Sequence, residues 1–190
     1  MQKTLFVAAI VFVIAAGAYM YLTRGPATEP STNTATSTPA ITDEVYTSTS
    51  GGFSFTYSSN YKVEARSDSY EGEPISVMTL IDEKIVVPEQ SDGPTAISII
   101  VLPNTKKLTL GEWVKTKSIS NFNLSPDKKL SSTTVAGEPG VSYIHTGLYE
   151  SDAVAVVHGD KIYLFSVGWA DSTAAIRTDF QKLLLSVTFN

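Results

Sequence analysis

The chain has 190 residues, a net charge of −5 at pH 7 and a sequence pI near 5.0. This acidic balance argues against nucleic-acid binding, which needs a basic stripe that displaces counterions, and against a polybasic patch resting on anionic lipid. The absence of cysteine excludes disulfides, zinc–thiolate sites, iron–sulfur clusters and thiolate nucleophiles.

The N-terminus carries an apolar run that is long enough to enter a bilayer. Residues 5–22 contain no charged side chain and lie between Lys3 and Arg24. A helix of about eighteen residues spans roughly 27 Å, close to the thickness of a hydrocarbon core. This run is therefore predicted to be a single-pass transmembrane helix that serves as a signal anchor.

Basic residues near the ends of the run set its orientation. No Lys or Arg follows Arg24 until Lys62, so the positive-inside rule places residues 1–4 in the cytoplasm and the C-terminal domain on the extracytoplasmic side. A cleaved signal peptide is the alternative, because Ala16-Gly17-Ala18 has the small-x-small form of a cleavage site. Both interpretations export the domain.

Residues 23–44 form the next segment and are rich in Ser, Thr and Pro, with hardly any large apolar side chain. Such a composition cannot bury enough surface to offset chain entropy. The segment is predicted to be a disordered stalk that ends where a folded domain, residues 45–190, begins.

The first half of this domain shows alternating apolar and polar residues. The pattern predicts strands at 45–48, 53–57 and 75–81, then a loop at 83–95. Residues 96–102 are apolar on both faces, which predicts a central strand. Thr109 and Glu112 form a capping box that opens a helix ending by Asn121.

The second half predicts two hairpins and a last helix. Strands at 130–135 and 141–149 flank the turn Gly137-Glu138-Pro139-Gly140, and strands at 153–157 and 162–169 flank His158-Gly159-Asp160-Lys161. Asp171 or Ser172 caps a helix whose apolar stripe packs on a sheet, and Val187 to Phe189 end the chain in extended form. Antiparallel hairpins with two segregated helices predict an α+β domain with a central antiparallel sheet.

Several of these segments resemble PsbP-like proteins across residues 45–190. The run from Gly52 to Tyr61 resembles the family's opening "G-F-x-F-x-Y-P-x-x-W", with Ser58 in place of the proline and Tyr61 in place of the tryptophan. Leu110-Gly111-Glu112-Trp113-Val114 resembles the family's capped helix. Gly159-Asp160-Lys161-Ile162-Tyr163 and the C-terminal residues resemble its final hairpin, helix and strand.

The resemblance implies a fold and a general kind of role. The implied fold is the Mog1/PsbP-like α/β/α sandwich, a central antiparallel sheet covered by helices. Its members include a thylakoid-lumen subunit that supports the oxygen-evolving complex and a nuclear Ran-binding protein, which are accessory and binding roles. The matched positions are packing and turn residues, so the resemblance carries over no functional residue.

Candidate chemistry is sparse. His145 and His158 are weak candidates for a metal site, which would need adjacent strands and a nearby carboxylate. A Ser-His-Asp triad lacks the G-x-S-x-G elbow. Trp113 is predicted to lie in the core rather than in a ligand site. We therefore predict no catalytic residue, cofactor or metal.

The leading hypothesis is a membrane-tethered, extracytoplasmic accessory or protein-interaction domain, not an enzyme, whose partner is another envelope protein. The alternative is an extracytoplasmic module that binds a small molecule or cation at the end of the sheet. A hydrolase with an unrecognised site is a third possibility. Four tyrosines near strand ends would mark a partner surface if they clustered, namely Tyr46, Tyr61, Tyr70 and Tyr149.

Overall fold

The computed structural model describes residues 42–85 and 93–190. The expected cytoplasmic segment 1–4, the expected transmembrane segment 5–22 and nearly all of the expected stalk lie outside the described residues, as does most of the loop predicted at 83–95. Among the helices that are described, none has the length and apolar character needed to cross a bilayer.

The described residues form ten strands and two α-helices. Helix α1 spans Leu110–Thr116 and helix α2 spans Ala175–Ser186, and two 3-10 turns, Ser118–Ser120 and Phe122–Leu124, follow α1. The strands are β1 (Asp43–Ser48), β2 (Phe53–Ser58), β3 (Tyr61–Tyr70), β4 (Glu73–Asp82), β5 (Ile97–Pro103), β6 (Ser131–Val135), β7 (Glu138–Thr146), β8 (Glu150–His158), β9 (Lys161–Trp169) and β10 (Thr188–Phe189).

Seven strands build the main sheet in the order β3-β4-β5-β9-β8-β7-β6, and three build a small sheet in the order β1-β2-β10. Every pair of neighbouring strands is antiparallel. Strand β5 lies between β4 and β9, so the prediction of a central strand at 96–102 is confirmed. The hairpins predicted at β1–β2 and β8–β9 are also present.

The main sheet buries both of its faces because its central strands are apolar on both sides. On β5, Ile97 and Ile99 belong to one hydrophobic cluster and Leu102 belongs to the other. The first cluster is completed by the small sheet and α2, and the second by α1 with the 3-10 turns. Each fully buried Ile, Leu or Phe contributes about 1.5–3 kcal/mol of transfer free energy.

The segment that resembles the PsbP opening packs the small sheet onto the main sheet. Phe53 and Phe55 of β2 are buried in the first cluster. The backbone carbonyl of Gly51 accepts a 2.8 Å hydrogen bond from the Tyr163 hydroxyl on β9. Tyr61 is buried, and its hydroxyl donates to Asp179 on α2 at 2.9 Å. These contacts hold the small sheet and α2 against the main sheet.

Strand β3 was not predicted, because its sequence lacks an apolar alternation. It is an edge strand whose residues are mostly exposed. Four charged side chains of alternating sign occupy alternate positions, Lys62, Glu64, Arg66 and Asp68. Charges of this kind disfavour pairing with another chain at a sheet edge.

Several predicted boundaries were wrong. Strand β7 ends at Thr146 rather than at 149, and β8 begins at Glu150 rather than at 153. Strand β1 begins at Asp43, so Asp43 and Glu44 belong to the small sheet and not to the stalk. Helix α1 ends at Thr116, and 3-10 turns take the chain to Leu124. The turn before β7 is Ala136-Gly137, both with positive φ, and Glu138 and Pro139 already belong to the strand.

The start of the last helix also differs from the prediction. Helix α2 begins at Ala175 after Ala174, and no side chain caps it. The carboxylate of Asp171 instead accepts hydrogen bonds from the backbone N–H and hydroxyl of Thr173, at 2.8 and 2.9 Å. An Asp side chain competes for nearby backbone donors in this way, and the local turn that results delays the helix.

Candidate functional site

His145 lies on β7, on the face of the main sheet that α1 and the 3-10 turns cover. Its side chain is 8% exposed, and its Nδ1 atom has no hydrogen-bonding partner within the described parts of the chain. Burial lowers the pKa of the imidazole, because the charged form loses its hydration. The centroid of the imidazole ring lies 6.3 Å from that of the Tyr143 ring. The Tyr143 hydroxyl in turn donates a 2.6 Å hydrogen bond to the Ser120 carbonyl. His145 is thus a neutral packing residue.

His158 is the last residue of β8, and its side chain contacts residues of β7 and β10. Its Nδ1 atom lies 2.8 Å from Glu138 Oε1 on β7, and its ring stacks on Phe189 of β10 with 4.6 Å between ring centroids. A histidine–carboxylate contact is one element of general-base catalysis. No hydroxyl in the described ranges 42–85 and 93–190 hydrogen-bonds to this ring, so the contact links strands rather than activating a nucleophile.

The two histidines do not meet. His145 on β7 lies opposite Ser151 on β8. His158 lies on β8 as well, seven positions after Ser151. At about 3.3 Å per residue this separation exceeds 20 Å. Their side chains also face opposite sides of the main sheet, since His145 shares a face with Tyr143 and His158 packs on Phe189. One metal ion cannot bind both.

The four tyrosines do not form one patch. Tyr46 packs on Phe55 with 5.3 Å between ring centroids. The hydroxyl of Tyr70 lies 3.0 Å from Ser118 Oγ, and that of Tyr149 donates to the Gly93 carbonyl at 2.7 Å. Together with the buried Tyr61, they join separate elements of the fold. Trp113 is buried in the second cluster, as predicted.

Several cavities and open grooves lie on the described part of the chain. A cavity of about 100 Å³ lies between the β3–β4 turn and α1, with Glu71, Lys106 and Lys117 in its lining. Two larger grooves, of about 290 and 330 Å³, open beside β4–β5 and between α2 and β7. Neither histidine lines any of the three. A more open groove of about 530 Å³ lies at the end of β8 and β9 and is lined by Leu148, Tyr149, Glu150 and Trp169, so a groove without a histidine lies where the alternative hypothesis places a ligand.

Three exposed apolar side chains lie in segments that meet at the β7–β8 end of the main sheet. Leu124, Ile144 and Leu148 are 43%, 42% and 63% exposed. Leu124 belongs to the second 3-10 turn, Ile144 to β7 and Leu148 to the turn between β7 and β8. We name these three residues the β7–β8 corner. Thr146, between Ile144 and Leu148, donates a 3.0 Å hydrogen bond to the Leu124 carbonyl, which fixes the second 3-10 turn beside the strand.

A stretch of strand edge accompanies the corner. The pairing of β6 with β7 ends at Ser131 opposite Ser142. Residues 143–146 of β7 therefore pair only with β8 among the described strands. One signal of this corner was present in the sequence, an apolar Leu148 directly after Gly147 in a turn. The corner was not predicted because Leu124 and Ile144 are remote along the chain.

Comparison with known proteins identifies the fold. No protein-family model and no curated protein sequence matches the chain. The chain is similar to the solution structure of cyanobacterial PsbP from Synechocystis, with a TM-score of 0.54 and 11% identity, over 81% of this chain and 96% of that one. A crystal structure from Bacteroides thetaiotaomicron matches less well, with a TM-score of 0.48 and 10% identity, over 77% of this chain and 48% of that one.

Similarity at this level of identity concerns architecture and not activity. The described residues form two helices, a seven-stranded antiparallel sheet and a small accessory sheet. This architecture agrees with the fold that the sequence resemblance to PsbP-like proteins implied. The chain has the PsbP-like fold.

Proposed function

We propose that this protein is a membrane-tethered accessory domain that binds another protein of the cell envelope and performs no catalysis. Residues 5–22 enter the membrane, and the PsbP-like domain lies on the extracytoplasmic side. The observation that carries the proposal is the β7–β8 corner, where three exposed apolar side chains lie near a stretch of β7 that pairs only with β8 among the described strands.

The corner has the properties of a protein-binding surface. Exposed apolar groups scattered singly are ordinary, but apolar groups gathered at one place mark interaction sites. Residues 143–146 of β7 pair only with β8 among the described strands and lie beside the second 3-10 turn. We infer that an added segment reaches the outer backbone groups of this stretch and that neighbouring apolar side chains supply contact area. A partner segment in extended conformation, with apolar side chains at alternate positions, fits both features.

The roles of the polar candidates support a binding function over a catalytic one. His145, His158 and the tyrosines each contact residues that join elements of the fold, and they do not converge in a cleft. A cyanobacterial protein named PsbP has the same fold, and the family resemblance implies accessory roles.

Crosslinking in the native membrane tests the proposal. The full chain is compared with a corner variant, Leu124→Ser, Ile144→Ser and Leu148→Ser. The matched control, Val45→Ser with Leu185→Ser, changes side chains that are 70% and 88% exposed and lie elsewhere. We expect the corner variant to lose a crosslinked envelope protein by about tenfold or more, while the control retains it. Equal capture by all three chains would overturn the proposal.

A further inference from the structure

The layer that covers one face of the main sheet is basic, although the chain as a whole is acidic. Residues 104–129, which contain α1 and both 3-10 turns, hold six lysines and two carboxylates, a net side-chain charge of +4 in a chain of −5. The layer on the opposite face, residues 43–58 and 170–190, holds four carboxylates and two cations. We name the six lysines the lysine layer: Lys106, Lys107, Lys115, Lys117, Lys128 and Lys129.

Much of this charge is available to a partner. Lys106, Lys107 and Lys115 are exposed, and no carboxylate of the described residues lies within 4.0 Å of their ammonium groups. Lys117 is already paired with Glu71, and Lys128 donates to the backbone carbonyl of Asn123. Lys106 and Lys117 line the cavity of about 100 Å³ together with Glu71 and Glu73, and Lys129 lines the groove beside α2. The charge that is exposed and has no ion pair within the described residues is therefore that of Lys106, Lys107 and Lys115.

We propose that the lysine layer docks the domain onto the anionic lipid headgroups of the membrane that residues 5–22 enter; this inference rests on the tether in the proposed function. All six cations are lysines. An ammonium group is a compact point charge without the planar fork by which arginine recognises single carboxylates, so it suits a diffuse anionic surface. Each lysine near such a surface raises the ratio of docked to free domain about fivefold.

The length of the tether favours lipid over a soluble acidic protein as the occupant. About 20 residues separate the apolar run from β1, and a chain of that length reaches at most about 70 Å. The membrane surface is then always within reach of the domain, at an effective concentration that a freely diffusing partner does not attain. The acidic net charge of the whole chain argued against such docking. The charges are unevenly distributed, however, because the layer with α1 is basic and the layer with α2 is acidic.

The test uses the full chain in vesicles of phosphatidylcholine with or without phosphatidylglycerol. Because the chain has no cysteine, a single fluorophore can be placed at Asn123→Cys in the basic layer or at Thr178→Cys on α2. Both positions are exposed. A quencher on the lipid headgroups then reports which side of the domain touches the membrane.

We expect the label at position 123 to be quenched only when phosphatidylglycerol is present, and high salt to reverse the quenching. The label at position 178 should not respond. In the Asn123→Cys chain, Lys106→Gln, Lys107→Gln and Lys115→Gln together should lower the ratio of docked to free domain about a hundredfold. The matched control removes three exposed lysines outside the layer, by Lys62→Gln, Lys84→Gln and Lys182→Gln, and should leave the ratio nearly unchanged.

Three results would overturn the inference: no response to the anionic lipid, equal responses at positions 123 and 178, or equal effects of the two lysine triples. Loss of an envelope-protein crosslink in the layer triple, with lipid docking unchanged, would assign the layer to a protein and overturn it as well. Flotation of the chain with the vesicles reports the tether separately. A chain that does not float overturns the tether and this inference together, whereas one that floats without docking overturns the inference alone.

Discussion

The carboxylate of Asp152 on β8 accepts two hydrogen bonds from the guanidinium of Arg177 on α2, at 2.7 and 3.0 Å. The same guanidinium lies 4.4 Å from the centre of the Trp169 ring. A bidentate contact of this kind fixes direction as well as distance. It therefore sets the position of α2 on the main sheet.

Replacing Arg177 should destabilise the domain. The Asp152 side chain is only 16% exposed, so Arg177→Leu leaves a carboxylate that is largely removed from water and has lost both hydrogen bonds. We expect the free energy of unfolding to fall by about 2 kcal/mol, measured by urea denaturation. Lys182→Leu removes the more exposed pair with Asp179 and should cost less than about 1 kcal/mol. Equal losses would contradict the role given to Asp152.

Gly51 should not tolerate a side chain. A Cβ atom there would lie 2.5 Å from Ser48 Oγ and 2.7 Å from the Phe53 ring, inside the turn that Tyr163 holds. We expect Gly51→Ala to lower the free energy of unfolding by about 1–3 kcal/mol, as overpacking does. The control is Gly111→Ala in α1, where nothing lies within 4 Å. That change should stabilise the domain by about 0.5–1 kcal/mol, and thermal melts would show opposite shifts.

His145 should make the domain less stable as the pH falls. Its folded pKa lies below the unfolded value near 6.5, because burial disfavours the charged ring. The unfolded state therefore binds more protons, and stability is full above about pH 6.5 and is lost as the pH falls toward the lower folded pKa. Replacement by leucine removes the titrating group and its unpaired nitrogen.

Denaturant unfolding at about pH 7 and at about pH 5.5 checks this expectation. The His145→Leu variant should lose less stability between the two values than the parent chain. At the higher pH the variant should be at least as stable, since an unpaired buried nitrogen is removed. A variant with the same pH dependence as the parent would show that His145 is not the group responsible.

The sequence allowed the central parts of the fold to be predicted, and the reasons are local. The β8–β9 hairpin follows from Gly159-Asp160 between two apolar runs, and α1 follows from a capping box that the structure contains. The apolar character of β5 on both faces correctly placed it at the centre of the sheet. Each of these signals lies within about ten residues of chain.

The missed features depend on contacts between remote residues. Strand β3 forms because β4 offers it a paired edge, and its own charged sequence gives no strand pattern. The candidate surface was missed for the same reason, since Leu124 comes beside Thr146 of β7 only when the 3-10 turn docks there. The basic layer was hidden because a net charge averages over both faces of the domain.

Labelling of single cysteines in living cells tests the central claim, a domain tethered outside the cytoplasm, most directly. A membrane-impermeant maleimide is added to cells whose inner membrane is intact, expressing the full chain with either Thr178→Cys or Gln2→Cys. We expect position 178 to be labelled without lysis and position 2 to be labelled only after lysis. Labelling of position 178 only after lysis would contradict the account.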